Sequence, residues 1–210
     1  MSGGMRTNAD PIVFGGAQQS HLYPDRIRLP LNFDPARLRA DLDGLIDTPW
    51  TEHFVRQNYE GDWSVLPLRC SRGATHPILQ IYSDPSVTEF DETPLLARSP
   101  YFQAVLATFQ CPLQAVRLMR LTPGSIIKQH RDDDLEAERG SARLHIPIVT
   151  NPHVDFRLNG HRVMLEPGSV WYLRLSDPHS VANRGSADRV HLVVDCIVDA
   201  WLTDLLSPPA

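Results

Sequence analysis

The chain has 210 residues, long enough for one domain with a substantial core, and its 42% hydrophobic and 21% charged residues are ordinary for a globular protein. A net charge of −5 offers no basic surface for nucleic acid, and no apolar run approaches the roughly 20 residues needed to span a bilayer. Residues 1–20 lack the basic start and apolar block of a secretion signal, and Cys70, Cys111 and Cys196 are too scattered for a thiolate zinc site; free thiols in a reducing cytoplasm are expected.

In chain order, residues 1–22 read as a flexible N-terminal arm and 23–210 as a single domain. A helix starts at Asp34, a capping residue followed by Pro35, with Leu38, Leu42, Leu45 and Ile46 at helical spacing. It is expected to end near Thr48-Pro49. Residues 50–92, with scattered Gly, Pro and Trp, read as short strands and loops. A second helical zone runs from Thr93 to Gln110, where Thr93-Pro94 and Ser99-Pro100 repeat the cap-then-proline signal and Cys111-Pro112 stops it. These helices, over 34–110, are expected to buttress a β core over 113–200.

After Pro112 the pattern changes to short segments rich in Val, Ile and Leu: 114–121, 125–130, 142–150, 153–158, 161–165, 168–175, 179–184 and 188–198. Asn159-Gly160 is a two-residue hairpin signal, and Pro123-Gly124 and Pro167-Gly168 mark further turns. The fold expected is mainly β with flanking helices, a double-stranded β-helix of jelly-roll or cupin type.

His130-Arg131-Asp132 places an imidazole and a carboxylate two positions apart, on the same side of an extended strand. His179, at the start of a later strand, is the candidate third ligand. Two imidazoles and one carboxylate on one face of an ion leave three positions open, which is the facial triad of non-haem iron(II) oxygenases. A His-x-Asp triplet arises readily by chance in a chain with nine histidines, and His153-Val154-Asp155 is a second copy. That copy lies in the Asn-Gly hairpin, too close to His179 for the usual order of a triad.

Arg189 follows His179 by ten residues and opens an apolar strand. A cation there is costly to bury without an anion, and the distal carboxylate of 2-oxoglutarate would be such a partner; a surface position beside Asp188 is the alternative. Arg143 and His145 share one face of their strand, opposite Leu144, Ile146 and Ile148, which fits a polar cavity, with His145 as a satisfied core histidine the alternative.

The segments Leu121-Thr122-Pro123-Gly124, His130-Arg131-Asp132, Arg143-Leu144-His145-Ile146-Pro147, Glu166-Pro167-Gly168-Ser169-Val170-Trp171-Tyr172-Leu173, Pro178-His179-Ser180-Val181-Ala182-Asn183-Arg184-Gly185 and Arg189-Val190-His191-Leu192-Val193-Val194-Asp195 resemble the aspartyl/asparaginyl β-hydroxylase family, related to the bacterial free-proline hydroxylases. The resemblance implies Fe(II) held by His130, Asp132 and His179, with 2-oxoglutarate gripped at its far carboxylate by Arg189. It places Arg143 and His145 near the metal-proximal end of the co-substrate. It implies hydroxylation, with O₂, of an unactivated C–H in an amino acid or amino-acid-derived substrate, free, carrier-bound or in a peptide. Asp132 departs from the animal peptide-hydroxylating member, which has glycine there, and argues against halogenation. A polar co-substrate contact of that enzyme aligns near Met119. Trp63, Arg69 and Arg131 are candidates to face the substrate. A cupin-type metalloenzyme that does not use 2-oxoglutarate, or a non-catalytic cupin module, remains as the alternative.

Overall fold

The computed structural model describes residues 21–82, 84 and 86–207; most of the expected N-terminal arm lies outside the described residues. In chain order the elements are β1 (Arg26–Asn32), α1 (Pro35–Asp43), β2 (Thr51–Glu52), β3 (Tyr59–Glu60), β4 (Trp63–Ser71), α2 (Pro77–Ile81), β5 (Phe90–Glu92), α3 (Pro94–Ala97), α4 (Pro100–Leu106), β6 (Leu113–Leu121), β7 (Ile126–His130), β8 (Ser141–Val149), β9 (Val154–Leu158), β10 (His161–Val163), β11 (Ser169–Leu173), β12 (His179–Asn183), β13 (Arg189–Ile197) and α5 (Ala200–Leu206). An eight-stranded sheet runs β1-β11-β8-β13-β6-β4-β2, with β5 on β4, and faces a five-stranded sheet in the order β10-β9-β12-β7-β3. Their strand pairs are antiparallel. This is the double-stranded β-helix expected.

Side-chain alternation divides the large sheet into two chemical faces. Leu192, Val194 and Cys196 of β13, with Leu144 and Ile146 of β8, pack in one core with Leu38, Phe102, Leu106 and Leu202 from the helices. Val193, Met119 and Leu121 turn the other way, into a second core shared with Phe156, Leu158 and Val181 of the small sheet. Polar residues of the same parity (Arg189, His191 and Asp195 on β13, Arg117 on β6, Arg143 and His145 on β8) therefore point between the sheets. Register sets Val193 beside both His145 and Arg117.

Turn chemistry holds this register. Asn159 and Gly160 adopt φ of 51° and 76°, both left-handed, as a tight hairpin between β9 and β10 requires. Gly168 sits at φ 81° where a Cβ would lie 2.1 Å from the Phe33 carbonyl oxygen, so β1 docks only against a glycine.

Three details differ from expectation. The first helix stops at Asp43, with Gly44 as its cap. The zone 93–110 is two short helices, because Pro100 has no N–H to continue the first and holds Ser99 out of helical geometry at φ −123°, ψ 77°. Strand β1 and helix α5 extend the β framework and its helical cover beyond what the pattern indicated; β4, within the zone read as short strands and loops, is a nine-residue strand buried over Trp63–Leu68 despite Pro67, beside which its pairing with β6 shifts. Among the described residues no helix is long and apolar enough to cross a membrane. The three cysteines are buried and free.

Candidate metal centre and the pockets around it

His130 ends β7 and His179 opens β12, and the two residues pair directly across the small sheet. Their ring centroids are 4.2 Å apart. Just past the end of β7, Asp132 is tied by its N–H to the Leu175 carbonyl at 2.8 Å, which turns its carboxylate back toward the histidines. One ligand atom from each of His130, Asp132 and His179 lies within 4.8 Å of the others.

The histidine protons are placed for metal binding. His130 Nδ1 lies 2.8 Å from the Lys128 carbonyl oxygen and His179 Nδ1 lies 3.0 Å from that of Asp177. A carbonyl only accepts, so both Nδ1 atoms donate, and in a neutral ring held this way Nε2 carries the bare lone pair a metal needs. Burial keeps the His179 ring below its ordinary pKa, with the Asp177 carbonyl acting against it, so the neutral ligand form is favoured. The second triplet is a different object. Asp155 is held by Arg157 at 3.0 Å and Arg184 at 3.2 Å, and His153 is exposed.

Behind Asp132 runs a buried chain of charges. Arg143 Nη1 lies 3.3 Å from Asp132 Oδ2, while its Nε and Nη2 grip both oxygens of Asp195 at 2.6 and 2.9 Å. Arg117 donates to the same Asp195 and to the Ile81 carbonyl. Burial works against the Arg143 charge, but Asp195 outweighs it and the guanidinium holds its proton more tightly than usual. Burial draws Arg117 down to about 10 despite Asp195. Arg143, expected near the metal-proximal end of the co-substrate, lies against Asp132 and lines the cavity beside it.

A cavity of about 280 Å³ opens beside the triad, lined by His130, Asp132, Arg143, Arg117, His53 and Trp63 among others. His53 lies flat on Trp63, ring centroids 3.6 Å apart, and burial with Arg143 and Arg117 nearby lowers its pKa to about 3. Arg69 and Arg131 do not line this cavity; Arg131 is exposed and donates to the Ser176 carbonyl.

Arg189 is 2% exposed, so the surface alternative is excluded. Burial alone pushes its pKa down to about 9; among the described residues no charged neighbour offsets it. Its Nη2 meets His191 Nδ1 at 2.9 Å, and its Nε has no hydrogen-bond partner among the described residues. His145 lies between, 3.4 Å from His191, with its Nε2 also unpartnered; Arg189, Arg143 and His179 all bear on its charge. Arg189 and His191 also line a second cavity of about 330 Å³ walled by Val154, Phe156, Val163 and Leu165. Met119, 5% exposed, packs in the inner core beside His191. The residues not singled out in the sequence, Arg117, His191 and Asp195, share the inward parity of Arg189 and Arg143; the period of two along β6 and β13 was the signal available.

Fold and site together define a double-stranded β-helix protein with a two-histidine, one-carboxylate donor set at the mouth of the barrel. The sequence model of the aspartyl/asparaginyl beta-hydroxylase family matches residues 34–198, and the chain belongs to that family. It is 27% identical to the L-proline cis-4-hydroxylase of Rhizobium meliloti (strain 1021) over 79% of this chain and 58% of that protein. It is 25% identical to L-proline cis-3-hydroxylase 2 of Streptomyces sp over 80% of this chain and 59% of that protein. The chain therefore spans less than two thirds of the length of these relatives. A solved 2OG-Fe(II) oxygenase family oxidoreductase from Burkholderia pseudomallei superposes with a TM-score of 0.52 at 14% identity, covering 82% of this chain and 85% of that one, and shows the common fold.

Proposed function

We propose that the chain is an Fe(II)- and 2-oxoglutarate-dependent hydroxylase acting on a free amino acid or a close derivative, in a single domain spanning 23–210. The observation that carries this reading is Arg189, a fully buried guanidinium without a carboxylate partner among the described residues, in the same barrel as three convergent metal donors. A buried cation is costly unless paired, and a dicarboxylate co-substrate supplies the missing anion. The donor set also fits the metal: two imidazoles and one carboxylate on one face leave positions for a chelating oxo acid and O₂. A cupin without 2-oxoglutarate would have no use for Arg189 in this state.

When bound, iron and 2-oxoglutarate supply the oxidising power, with O₂ consumed, succinate and CO₂ released, and a hydroxyl placed on the substrate. The chain supplies geometry. His130 and His179 present lone pairs fixed by backbone carbonyls, Arg143 holds Asp132, and Arg189 receives the distal carboxylate. His145 stands between Arg189 and the triad. The His53–Trp63 stack walls the cavity in which the substrate would sit, and its size suits an amino acid better than a folded peptide partner. The named activities of the proline hydroxylases it resembles support an amino-acid substrate. Buried free thiols suit a reducing cytoplasm.

The test is anaerobic addition of Fe(II) and 2-oxoglutarate, followed by succinate release on admitting O₂ with candidate amino acids. A visible charge-transfer band, lost in His179→Ala, is expected. Arg189→Ala should raise the 2-oxoglutarate KM by about 100-fold, the value of a charge-assisted pair. Folded protein without the band, or Arg189→Ala with an unchanged KM, overturns the proposal.

A further inference from the structure

Arg189, His191 and His145 form a buried polar run between the sheets, at 2%, 1% and 5% exposure. Each contact in it constrains a proton. A guanidinium only donates, so His191 Nδ1, 2.9 Å from Arg189 Nη2, must accept, and the His191 proton must sit on Nε2. His145 Nδ1 lies 3.4 Å from the same nitrogen, and any proton it carries there can only share the one lone pair that Arg189 already occupies. Burial, with Arg189 next, holds the pKa of both rings well below the ordinary value.

The neutrality of the acceptor is what matters. The other two inward-facing guanidiniums, on Arg117 and Arg143, share Asp195, and Arg143 also faces Asp132, so both have carboxylates beside them. Arg189 is given an acceptor that fixes its direction without cancelling its charge, and its Nε–H stays unpartnered. A carboxylate at position 191 would do the job reserved for a ligand; an apolar side chain would leave a long, rotatable side chain unaimed.

We infer that His191 is a positioning residue: its Nδ1 lone pair aims the Arg189 guanidinium at the distal carboxylate of the co-substrate while leaving the positive charge for that carboxylate. This rests on the assignment of Arg189 as the carboxylate grip. It adds a requirement that a grip alone does not carry, namely an uncharged hydrogen-bond acceptor two residues along β13.

Three variants separate the possibilities: His191→Asn, which keeps a neutral acceptor near the Nδ1 position; His191→Leu, of similar volume with none; and His191→Asp, an acceptor with charge. The readout is the 2-oxoglutarate dissociation constant, measured anaerobically with Fe(II) from the charge-transfer band, beside a thermal melt of each variant. His191→Asn should bind within a few-fold of wild type, His191→Leu about tenfold or more weakly, and His191→Asp most weakly, as expected for losing or pre-empting a hydrogen bond to a charged group. A merely structural role predicts the reverse order for Leu and Asn, since an apolar side chain suits a buried site better. Equal affinities for the Leu and Asn variants, with wild type binding normally, would overturn the role of His191 and leave the grip intact. Failure of wild type to bind 2-oxoglutarate would overturn the grip itself. Ring-nitrogen NMR shifts of wild type decide the matter should a variant not fold: Nδ1 of His191 must be bare and Nε2 protonated, and a protonated Nδ1 refutes the inference.

Discussion

Replacing Asp195 by Asn tests the charge chain behind the metal centre. The carboxylate is about 5% exposed and accepts from Arg143 at 2.6 and 2.9 Å as well as from Arg117. Asparagine keeps the shape and one acceptor oxygen but removes the charge that faces two guanidiniums whose side chains are 3% and 11% exposed. Leaving a buried charge uncompensated costs about 3–5 kcal/mol. For a domain of this size each kcal/mol moves the melting temperature by about 2–4 °C, so a fall on the order of 10 °C is expected. Arg143 then has Asp132 as its one remaining carboxylate, 3.3 Å away, and competes with a divalent cation for it, so metal affinity should fall as well. Urea unfolding of the metal-free protein and titration with Mn(II) read the two effects separately. Arg117→Met in the Asp195→Asn background should recover part of the loss, because it removes one of the two buried cations that Asp195 faced. A stability loss below about 1 kcal/mol, the scale of surface substitutions, would refute the idea that Asp195 neutralises this end of the barrel.

Two further outcomes follow from the same structure. His53, His145 and His191 are held neutral by burial, His53 down to about 3, so the unfolded chain binds more protons than the folded one between their folded pKa values and about 6.5. Stability present at neutral pH is therefore lost on acidification from about 6.5 downward, by about 1.4 kcal/mol per histidine for each pH unit within that window. Urea midpoints at several pH values check the slope, which should shrink by one proton in His53→Gln and would be flat were these rings solvated. Gly168→Ala places a Cβ 2.1 Å from the Phe33 carbonyl at a φ of 81°, and β1 must shift to relieve it; a loss of about 2 kcal/mol or more is expected from the melt. An unchanged melting temperature would mean that β1 docks differently.

The β core was legible because its signals are local. Alternation along 142–150 and 188–198, and Asn159-Gly160 between two strands, specify pairing without reference to distant chain. The strands least legible in the sequence are those whose reason is non-local. Trp63–Ser71 carries a proline and an arginine that argue against a strand until β6 lies beside it, and β1 exists because β11 offers an edge and Gly168 allows the approach. Much the same divides the site. His130, Asp132 and His179 could be picked out by residue type and order. The partnership of Arg143 with Asp195 is visible only after β8 and β13 pair with Arg143 opposite Asp195. Arg143 and Arg189 look alike as inward-facing arginines, and nothing local says which one meets an anion inside the protein.

That difference comes from strand spacing. Asp195 and Arg189 share the inward face of β13 six residues apart, which at about 3.4 Å per residue separates them by roughly 20 Å along the strand. One carboxylate can therefore pair with the arginines of neighbouring strands at its own end of the barrel and leave the other end untouched. Register then decides the rest: β8 and β6 bring Arg143 and Arg117 to Asp195, whereas Arg189 faces Leu121 and reaches an imidazole. The barrel interior is thus built with its own anion beside the metal donors and an uncancelled cation in depth. On the proposed function, such a distribution would orient a dicarboxylate, with one end drawn to the buried guanidinium and the other left for the metal. Moving the internal carboxylate, by pairing Asp195→Asn with Val193→Asp, should bring it about 7 Å closer to Arg189 and weaken 2-oxoglutarate binding even in a folded protein. Undiminished binding in that double variant would show that orientation is set by shape rather than by charge.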